Sequence, residues 1–166
     1  MNLTRGHALA ALLACVATAT VAGCGDDAAD TSTDLDPATA SVIYHYNDAS
    51  VAPEYHRSYT VTVTQGTARV VVDAYGDVLH DVTEPIDDAL WERTLAAAQE
   101  FDDASSSDRD SGCSGGTSEE LTVANGEVVA FDVFVDHCDS SGGANVVEAV
   151  GEVLPLFDMD AMLATE

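Results

Sequence analysis

The feature that most constrains the fold is a strict alternation of hydrophobic and polar residues within residues 55–64. Three hydrophobic residues alternate there with three threonines. Successive side chains of a β-strand point to opposite sides, so this pattern predicts a strand with one buried face. A Gln-Gly-Thr turn and a β-branched run over residues 68–74 follow, which together predict a hairpin. Residues 41–47 and 77–83 are expected to add two further strands.

The hydrophobic period changes to that of a helix over residues 87–101. Leu90, Ala97 and Phe101 recur on one side, with Trp91 beside them, and acidic residues occupy most of the other positions. This spacing predicts an amphipathic α-helix, for which the residue at position 87, an aspartate, is a suitable N-cap. A second, shorter helix is expected from Asn145 to the residue before a proline, built on three valines.

Two more strands are predicted over residues 119–125 and 126–137. They meet at Asn125 and Gly126, the strongest short hairpin signal, which favours a two-residue type I′ turn. The order is then four strands, a helix, two strands and a helix, without a repeated βαβ unit. Such an order predicts a two-layer α+β fold, in which an antiparallel sheet of about six strands carries two helices on one face.

The first 24 residues have the three parts of an export signal. Arg5 precedes an apolar stretch over residues 8–22, which is shorter than the about 20 residues of a comfortable membrane span. The stretch leads into Val21-Ala22-Gly23-Cys24, which resembles the lipobox of bacterial lipoproteins. The resemblance implies a signal peptide over residues 1–23 and a lipid with acyl chains such as palmitate on Cys24.

This interpretation sets the organisation of the remaining chain. Residues 24–40 are rich in Asp, Thr, Ser and Ala, which predicts a lipidated, acidic and flexible tether. Residues 41–166 are then expected to form a single α+β domain. Because Gly25 stands where an inner-membrane lipoprotein would carry aspartate, the resemblance implies lipid anchoring in the cell membrane or the outer membrane, on the extracytoplasmic side. The alternative is an ordinary secretory signal that leaves a soluble protein.

The charge of the chain restricts its partners. Thirty acidic residues stand against five arginines and no lysine, which gives a formal net charge of −25. Such a surface repels nucleic acid and anionic lipid headgroups, so no nucleic-acid partner is expected. Two explanations of the acidity remain open: a solvated coat suited to salty surroundings, or a surface that collects cations.

Cys113 and Cys138 are the two cysteines that remain after processing. Export places them in a compartment that permits disulfides. A two-residue turn at Asn125 and Gly126 would set them directly opposite each other, in a pair whose Cα atoms lie about 4.5 Å apart. That separation suits a disulfide. The alternatives are a metal pair and two free thiols.

A patch of polar and aromatic residues is the main candidate binding site. A glycan or peptide could stack on its tyrosines, while its arginine binds a carboxylate. The alternative is that the tyrosines fill one side of a sheet while the histidines and the arginine pair with acids. The segment over residues 50–59 resembles segments of small exported bacterial proteins of unassigned function, a resemblance that implies no activity. The patch consists of Tyr44, His45, Tyr46, Tyr55, His56, Arg57 and Tyr59.

The common catalytic motifs do not occur in the sequence, so no catalytic residue and no cofactor other than the lipid is assigned. The leading hypothesis is a non-enzymatic envelope lipoprotein whose domain contacts a protein or the cell wall. One alternative is a small envelope hydrolase that uses His56 or His137. A further alternative is a cation-binding surface protein, because the spacing of Asp108, Asp110 and Glu119 is similar to that of a calcium loop.

Overall fold

The computed structural model describes residues 35–109, 115–138 and 143–165. They form one open, antiparallel sheet of six strands in the order β4-β3-β2-β1-β5-β6. The predicted α+β fold is thereby confirmed. The strands are β1 (Ala40–Asn47), β2 (Ser58–Thr64), β3 (Thr67–Ala74), β4 (Asp77–Pro85), β5 (Ser118–Asn125) and β6 (Val128–Asp136).

The helical layer packs against the middle of the sheet. Helix α1 (Asp88–Gln99) and a 3₁₀ helix (Val146–Val150) both contact β1 and β5. A second 3₁₀ helix (Leu154–Leu156) and the short helix α2 (Met159–Leu163) follow. Asp87 caps α1 as predicted, because its Oδ1 accepts a hydrogen bond of 2.7 Å from the backbone N–H of Leu90.

The core follows the alternation in the sequence. Val61 and Val63 of β2 are fully buried, while the threonines that alternate with them lie on the opposite, open face of the sheet. Trp91 lies on the face of α1 that meets the sheet and is also buried. Burying such side chains is favourable by about 1.5–3 kcal/mol each, which fixes the helical layer on this face.

The second predicted helix differs from the structure. The chain forms the 3₁₀ helix Val146–Val150, a turn and the second 3₁₀ helix in its place. Gly151, which follows the first 3₁₀ helix, has a low helix propensity, and Pro155 lacks the N–H that a continuous α-helix would use, so an α-helix is disfavoured at both positions. The predicted apolar positions, at residues 146, 150 and 153, are nevertheless fully buried.

The folded unit begins before residue 41. Leu35 is buried in the core, and the carbonyl of Pro37 accepts a hydrogen bond of 3.0 Å from the indole Nε1 of Trp91. A buried indole N–H needs such an acceptor, so residues 35–40 belong to the domain rather than to the tether. Cys24, the signal peptide and the rest of the tether lie outside the described residues. No helix in the described ranges is long and apolar enough to cross a bilayer.

The hairpin between β5 and β6 has a different register from the predicted one. Asn125 pairs with Val128, so Gly126 and Glu127 form the turn, and only Gly126 has a positive φ, of 62°. A bulge after Val123 then shifts the register again. The predicted type I′ turn is therefore wrong here, since that turn needs positive φ at both central residues.

This register places the apolar residues of the two strands on one face. Leu121 lies opposite Val133, and both are fully buried. The predicted register would have put them on opposite faces, so burial explains the shift. The same shift removes the geometric argument for pairing Cys113 with Cys138 across the ladder. Cys113 lies outside the described residues, so the disulfide itself stays a prediction.

Candidate functional site

The sheet divides the predicted binding patch into three parts. Tyr44, Tyr46 and Tyr59 lie on the helix side, where they contact the core. His45 lies on the open face and bonds to Thr60, with 2.9 Å between Nδ1 and Oγ1. The other members of the patch, at positions 55, 56 and 57, precede β2 in the connection from β1. The seven residues therefore do not form one continuous ridge.

The three tyrosines on the helix side form an aromatic cluster. The ring of Tyr59 lies 5.8 Å from that of Tyr44 and 5.3 Å from that of Tyr46. Burial raises the pKa of all three phenols, and the nearby carboxylate of Glu119 raises each of them further. These tyrosines fill the space between sheet and helical layer, as the alternative interpretation of the patch predicted.

Glu119 connects this cluster to His137. Its Oε1 lies 3.0 Å from Nε2 of His137, and its Oε2 is buried without a hydrogen-bond partner among the described residues. His137 is thus bound to a carboxylate that faces the tyrosine cluster. The side-chain partner that the structure shows for the imidazole of His137 is a carboxylate, not the hydroxyl or thiol of a nucleophile.

His56 is buried and uses both ring nitrogens. Nδ1 donates to the carbonyl of Ala49 at 3.1 Å, so Nδ1 carries the proton, because a carbonyl can only accept. Nε2 lies 2.8 Å from Oγ of Ser58 and accepts a hydrogen bond from its hydroxyl group. A serine and a histidine so joined resemble a nucleophile and its base. The two side chains are only 3% exposed, however, and the ring of Tyr75 stacks on the imidazole at 3.8 Å. The pair is closed to a substrate.

The segment between β1 and β2, residues 48–57, is held by further hydrogen bonds. Asp48 accepts from the backbone N–H of Ala49 and of Arg57, at 2.8 and 2.9 Å. Its own N–H donates to Ser58 Oγ at 3.0 Å. We call this segment the β1–β2 loop. These bonds fix it as a rigid support for its exposed side chains.

Exposed hydrophobic side chains gather at the end of the sheet where this loop lies. The described residues contain eight large exposed hydrophobic side chains, and five of them lie in the β1–β2 loop or around the turn from β3 to β4. The hydroxyl of Tyr75 joins these two segments by donating to the carbonyl of Val51 at 2.6 Å. We define the end patch as Val51, Tyr55, Tyr75, Val78 and Leu79.

The turn that carries Tyr75 is the type I′ turn of this sheet. Tyr75 and Gly76 have φ values of 55° and 92°, and positive φ at both central residues defines that turn. A tyrosine in this conformation is strained. The stacking on His56 and the hydrogen bond to Val51 hold it there, and the residue remains 54% exposed.

Arg57 lines a cleft beside the end patch. The cleft has a volume of about 390 Å³ and shares Leu79 with the patch. The guanidinium donates to the carbonyls of His56 and Ala164, at 2.7 and 3.4 Å. The predicted carboxylate partner of Arg57 is not found within the described residues. The other described arginines, at positions 69, 93 and 109, each form an ion pair with a carboxylate.

The predicted calcium ligands are not seen together. Asp110 lies outside the described residues, and Glu119 faces the tyrosine cluster and bonds to His137. Over residues 35–109, 115–138 and 143–165, no group of three His, Cys, Asp or Glu side chains is placed to hold a metal ion. Asp108 is engaged in a contact of its own.

Comparison with known proteins gives no family. No protein-family model matches the chain, and a search of curated proteins also found no match. Of the end patch, only Tyr55 was a candidate from the sequence. The alternation that identifies strands does not show that the β1–β2 loop and the turn from β3 to β4 meet. The glycine at position 76, next to a tyrosine, was the sequence feature that indicated a turn carrying an exposed aromatic side chain.

Proposed function

We propose that this chain is a lipid-anchored protein of the bacterial envelope whose domain binds a protein or cell-wall partner without catalysing a reaction. The end patch is the observation that carries the proposal. Scattered exposed hydrophobic side chains are normal, whereas a cluster of them marks an interaction surface. Two of the five members are tyrosines, which are enriched in protein interfaces.

The support beneath the end patch strengthens this proposal. A rigid surface loses little conformational freedom on binding, so more of the contact energy appears as affinity. Tyr75 is held by stacking and by a hydrogen bond, and the β1–β2 loop is held through Asp48. The patch is therefore already arranged in the unbound domain.

The hydrolase alternative has less support. Its best feature is the hydrogen bond between Ser58 and His56, which has the direction that a nucleophile and a base require. Both groups are buried, and Ser58 Oγ also accepts from the backbone of Asp48. That arrangement favours a structural role over a reactive one.

The lipid anchor rests on the lipobox resemblance and has its own test. Mass spectrometry of the native protein is expected to find residue Cys24 at the N-terminus with acyl chains attached. A Cys24→Ser variant is expected to lose the lipid and to leave the membrane fraction. An unmodified Cys24 in the native protein would contradict the anchor and leave the binding proposal untouched.

The binding surface is tested by site-specific photo-crosslinking in intact cells. A crosslinking residue at position 55 lies in the end patch, and one at Val128, which is 70% exposed, lies at the opposite end of the sheet and serves as the control. We expect a discrete adduct from position 55 that a Val78→Asp substitution abolishes. Equal adducts from both positions, or adducts that survive Val78→Asp, would overturn the proposal.

A further inference from the structure

The two edge strands of the sheet differ in how their outer backbone groups are covered. A strand at an edge exposes half of its backbone N–H and C=O groups, which can pair with another extended chain. β6 forms one edge and β4 the other. The difference between them lies in what covers their outer backbone.

The outer edge of β6 is covered by the chain between α1 and β5. The N–H of Ser107 donates to the carbonyl of Phe134 at 2.7 Å. Ser106 Oγ accepts from the N–H of Phe134 at 3.1 Å, and Ser107 Oγ accepts from the N–H of Asp136 at 3.2 Å. This segment therefore satisfies outer groups of β6 between Asp132 and Asp136 and blocks a further strand there.

The outer edge of β4 is open within the described residues. The hydrogen bond from Ile86 N to Gly66 O, 3.1 Å long, sets the phase of the ladder between β3 and β4. It makes the pair of Thr67 and Pro85 a non-hydrogen-bonded pair. Because hydrogen-bonded and non-hydrogen-bonded pairs alternate along an antiparallel ladder, the pairs that contain Thr83 and Asp81 are also non-hydrogen-bonded. The N–H and C=O groups of Asp81 and Thr83 thus point away from β3, and no described segment bonds to them.

The charges of the β4 side chains indicate which kind of strand could pair with its open edge. The strand carries Asp77, Asp81 and Glu84, and its only basic side chain is that of His80. Arg69 pairs with Asp81. Two copies of β4 would bring like charges together in a chain whose net charge is −25, which disfavours a second copy. A basic extended segment is complementary to the same edge.

We infer that β4 binds an extended, basic segment of the partner as a seventh strand, by main-chain hydrogen bonds to Asp81 and Thr83. This inference rests on the proposed binding function and names the partner chemistry at the same surface. Val78 and Leu79 of the end patch are the second and third residues of β4, so an added strand would pass from the patch onto the open edge. Strand addition supplies affinity through the backbone and selectivity through alternate side chains.

The experiment uses a capped peptide of alternating lysine and valine as the probe. Amide hydrogen exchange of the domain is measured by NMR with and without the peptide. At a peptide concentration about ten times the Kd, the N–H groups of Asp81 and Thr83 are expected to exchange about tenfold more slowly. Val82 and Glu84 are the internal controls, because their N–H groups already point to β3.

Two controls separate strand addition from attraction between charges. The same peptide with N-methylated alternate residues keeps its charge but loses donors, and it is expected not to protect Asp81 or Thr83. A Glu84→Lys substitution is expected to weaken binding about fivefold. Glu127→Lys, the same charge change in the turn between β5 and β6, is expected to leave affinity nearly unchanged.

Each other outcome overturns the inference. If the N-methylated peptide bound as tightly as the unmodified peptide, binding would be due to charge attraction alone. Protection of Asp81 and Thr83 that grows with protein concentration and needs no peptide would identify a second copy as the occupant. No protection of these amides, together with a crosslink from position 55, would contradict strand addition while the proposed function stands.

Discussion

His56 and Ser58 share a hydrogen bond of 2.8 Å that lies inside the domain rather than in an accessible cleft. It continues from Ser58 Oγ to the backbone of Asp48 and from the imidazole to the carbonyl of Ala49. The imidazole therefore connects both ends of the β1–β2 loop. The exposed ring of Tyr75 rests on it, so the position of the end patch depends on a buried histidine.

The first prediction concerns this histidine. His56→Ala should lower the free energy of unfolding by about 2–4 kcal/mol, because it leaves a cavity beside Tyr75, removes the acceptor of the buried Ser58 hydroxyl and removes one of the two N–H donors to the carbonyl of Ala49. Urea denaturation measures the change. His80→Ala, at an exposed position of β4, is the control and should cost less than about 0.5 kcal/mol. Ester or glycan hydrolysis that disappears in a folded His56→Ala protein would contradict the structural role.

The second prediction concerns Gly143, which lies against β6. A Cβ built on Gly143 overlaps the side chain of Val135, which is buried in the core. Gly143→Ala should therefore destabilise the domain by about 1–3 kcal/mol, as overpacking does. Gly151→Ala is the matched control, since its Cβ would meet no atom closer than 3.4 Å. Equal melting temperatures of the two variants would refute the close contact.

The sequence was sufficient for the fold where a pattern is local. The alternation around Val61 and the period around Trp91 each depend on a few neighbouring residues. Both elements are found, although β2 begins at Ser58 rather than at residue 55, and α1 ends at Gln99 rather than at residue 101. The register of β5 and β6 was not local. Asn125 and Gly126 favour one turn, but burying Leu121 and Val133 on the same face requires another, and burial contributes the larger free energy.

The candidate site was less predictable for the same reason. Tyr55 and Tyr75 come from segments that meet only because β2 and β3 bring the two connections to one end of the sheet. The tyrosines of β1 were candidates because of their chemistry, yet their strand positions direct Tyr44 into the core. Residue type alone could not separate the buried tyrosines from the exposed ones.

The third prediction is a loss of stability in alkali. Burial, and then the charge of neighbouring groups, raises the pKa of Tyr44 in the folded protein above its ordinary value of 10.0. The protonated phenol is thus favoured by folding, so its contribution is fully present below pH 10.0 and is lost as the pH rises above that value. Unfolding measured in urea across this range should show the fall. Tyr44→Phe should reduce the slope, whereas Tyr55→Phe, at an exposed position, should not. Identical slopes would contradict the effect of burial.

The fourth prediction concerns the proposed disulfide. Cys138 lies two residues after the end of β6, and its N–H donates to Asp136 Oδ1 at 2.9 Å, which fixes its backbone to the strand. A bridge to Cys113 should contribute about 3 kcal/mol by restricting the unfolded chain. Denatured, unreduced protein should then resist alkylation at both cysteines, and Cys113→Ser should lower the melting temperature as much as reduction does. Labelling of both thiols without reductant would contradict the proposed disulfide.

The fifth prediction separates the two explanations of the acidity. A net charge of −25 produces repulsion between exposed carboxylates, and salt screens it over about 10 Å at 0.1 M. Sodium chloride should therefore raise the melting temperature, although it also weakens attractive pairs such as Arg109 with Glu120 and Asp132. A surface that collects cations would instead respond to calcium at concentrations where the same ionic strength of sodium has no effect. A solvated acidic coat predicts equal responses to the two salts at equal ionic strength, and a response to calcium alone would contradict it.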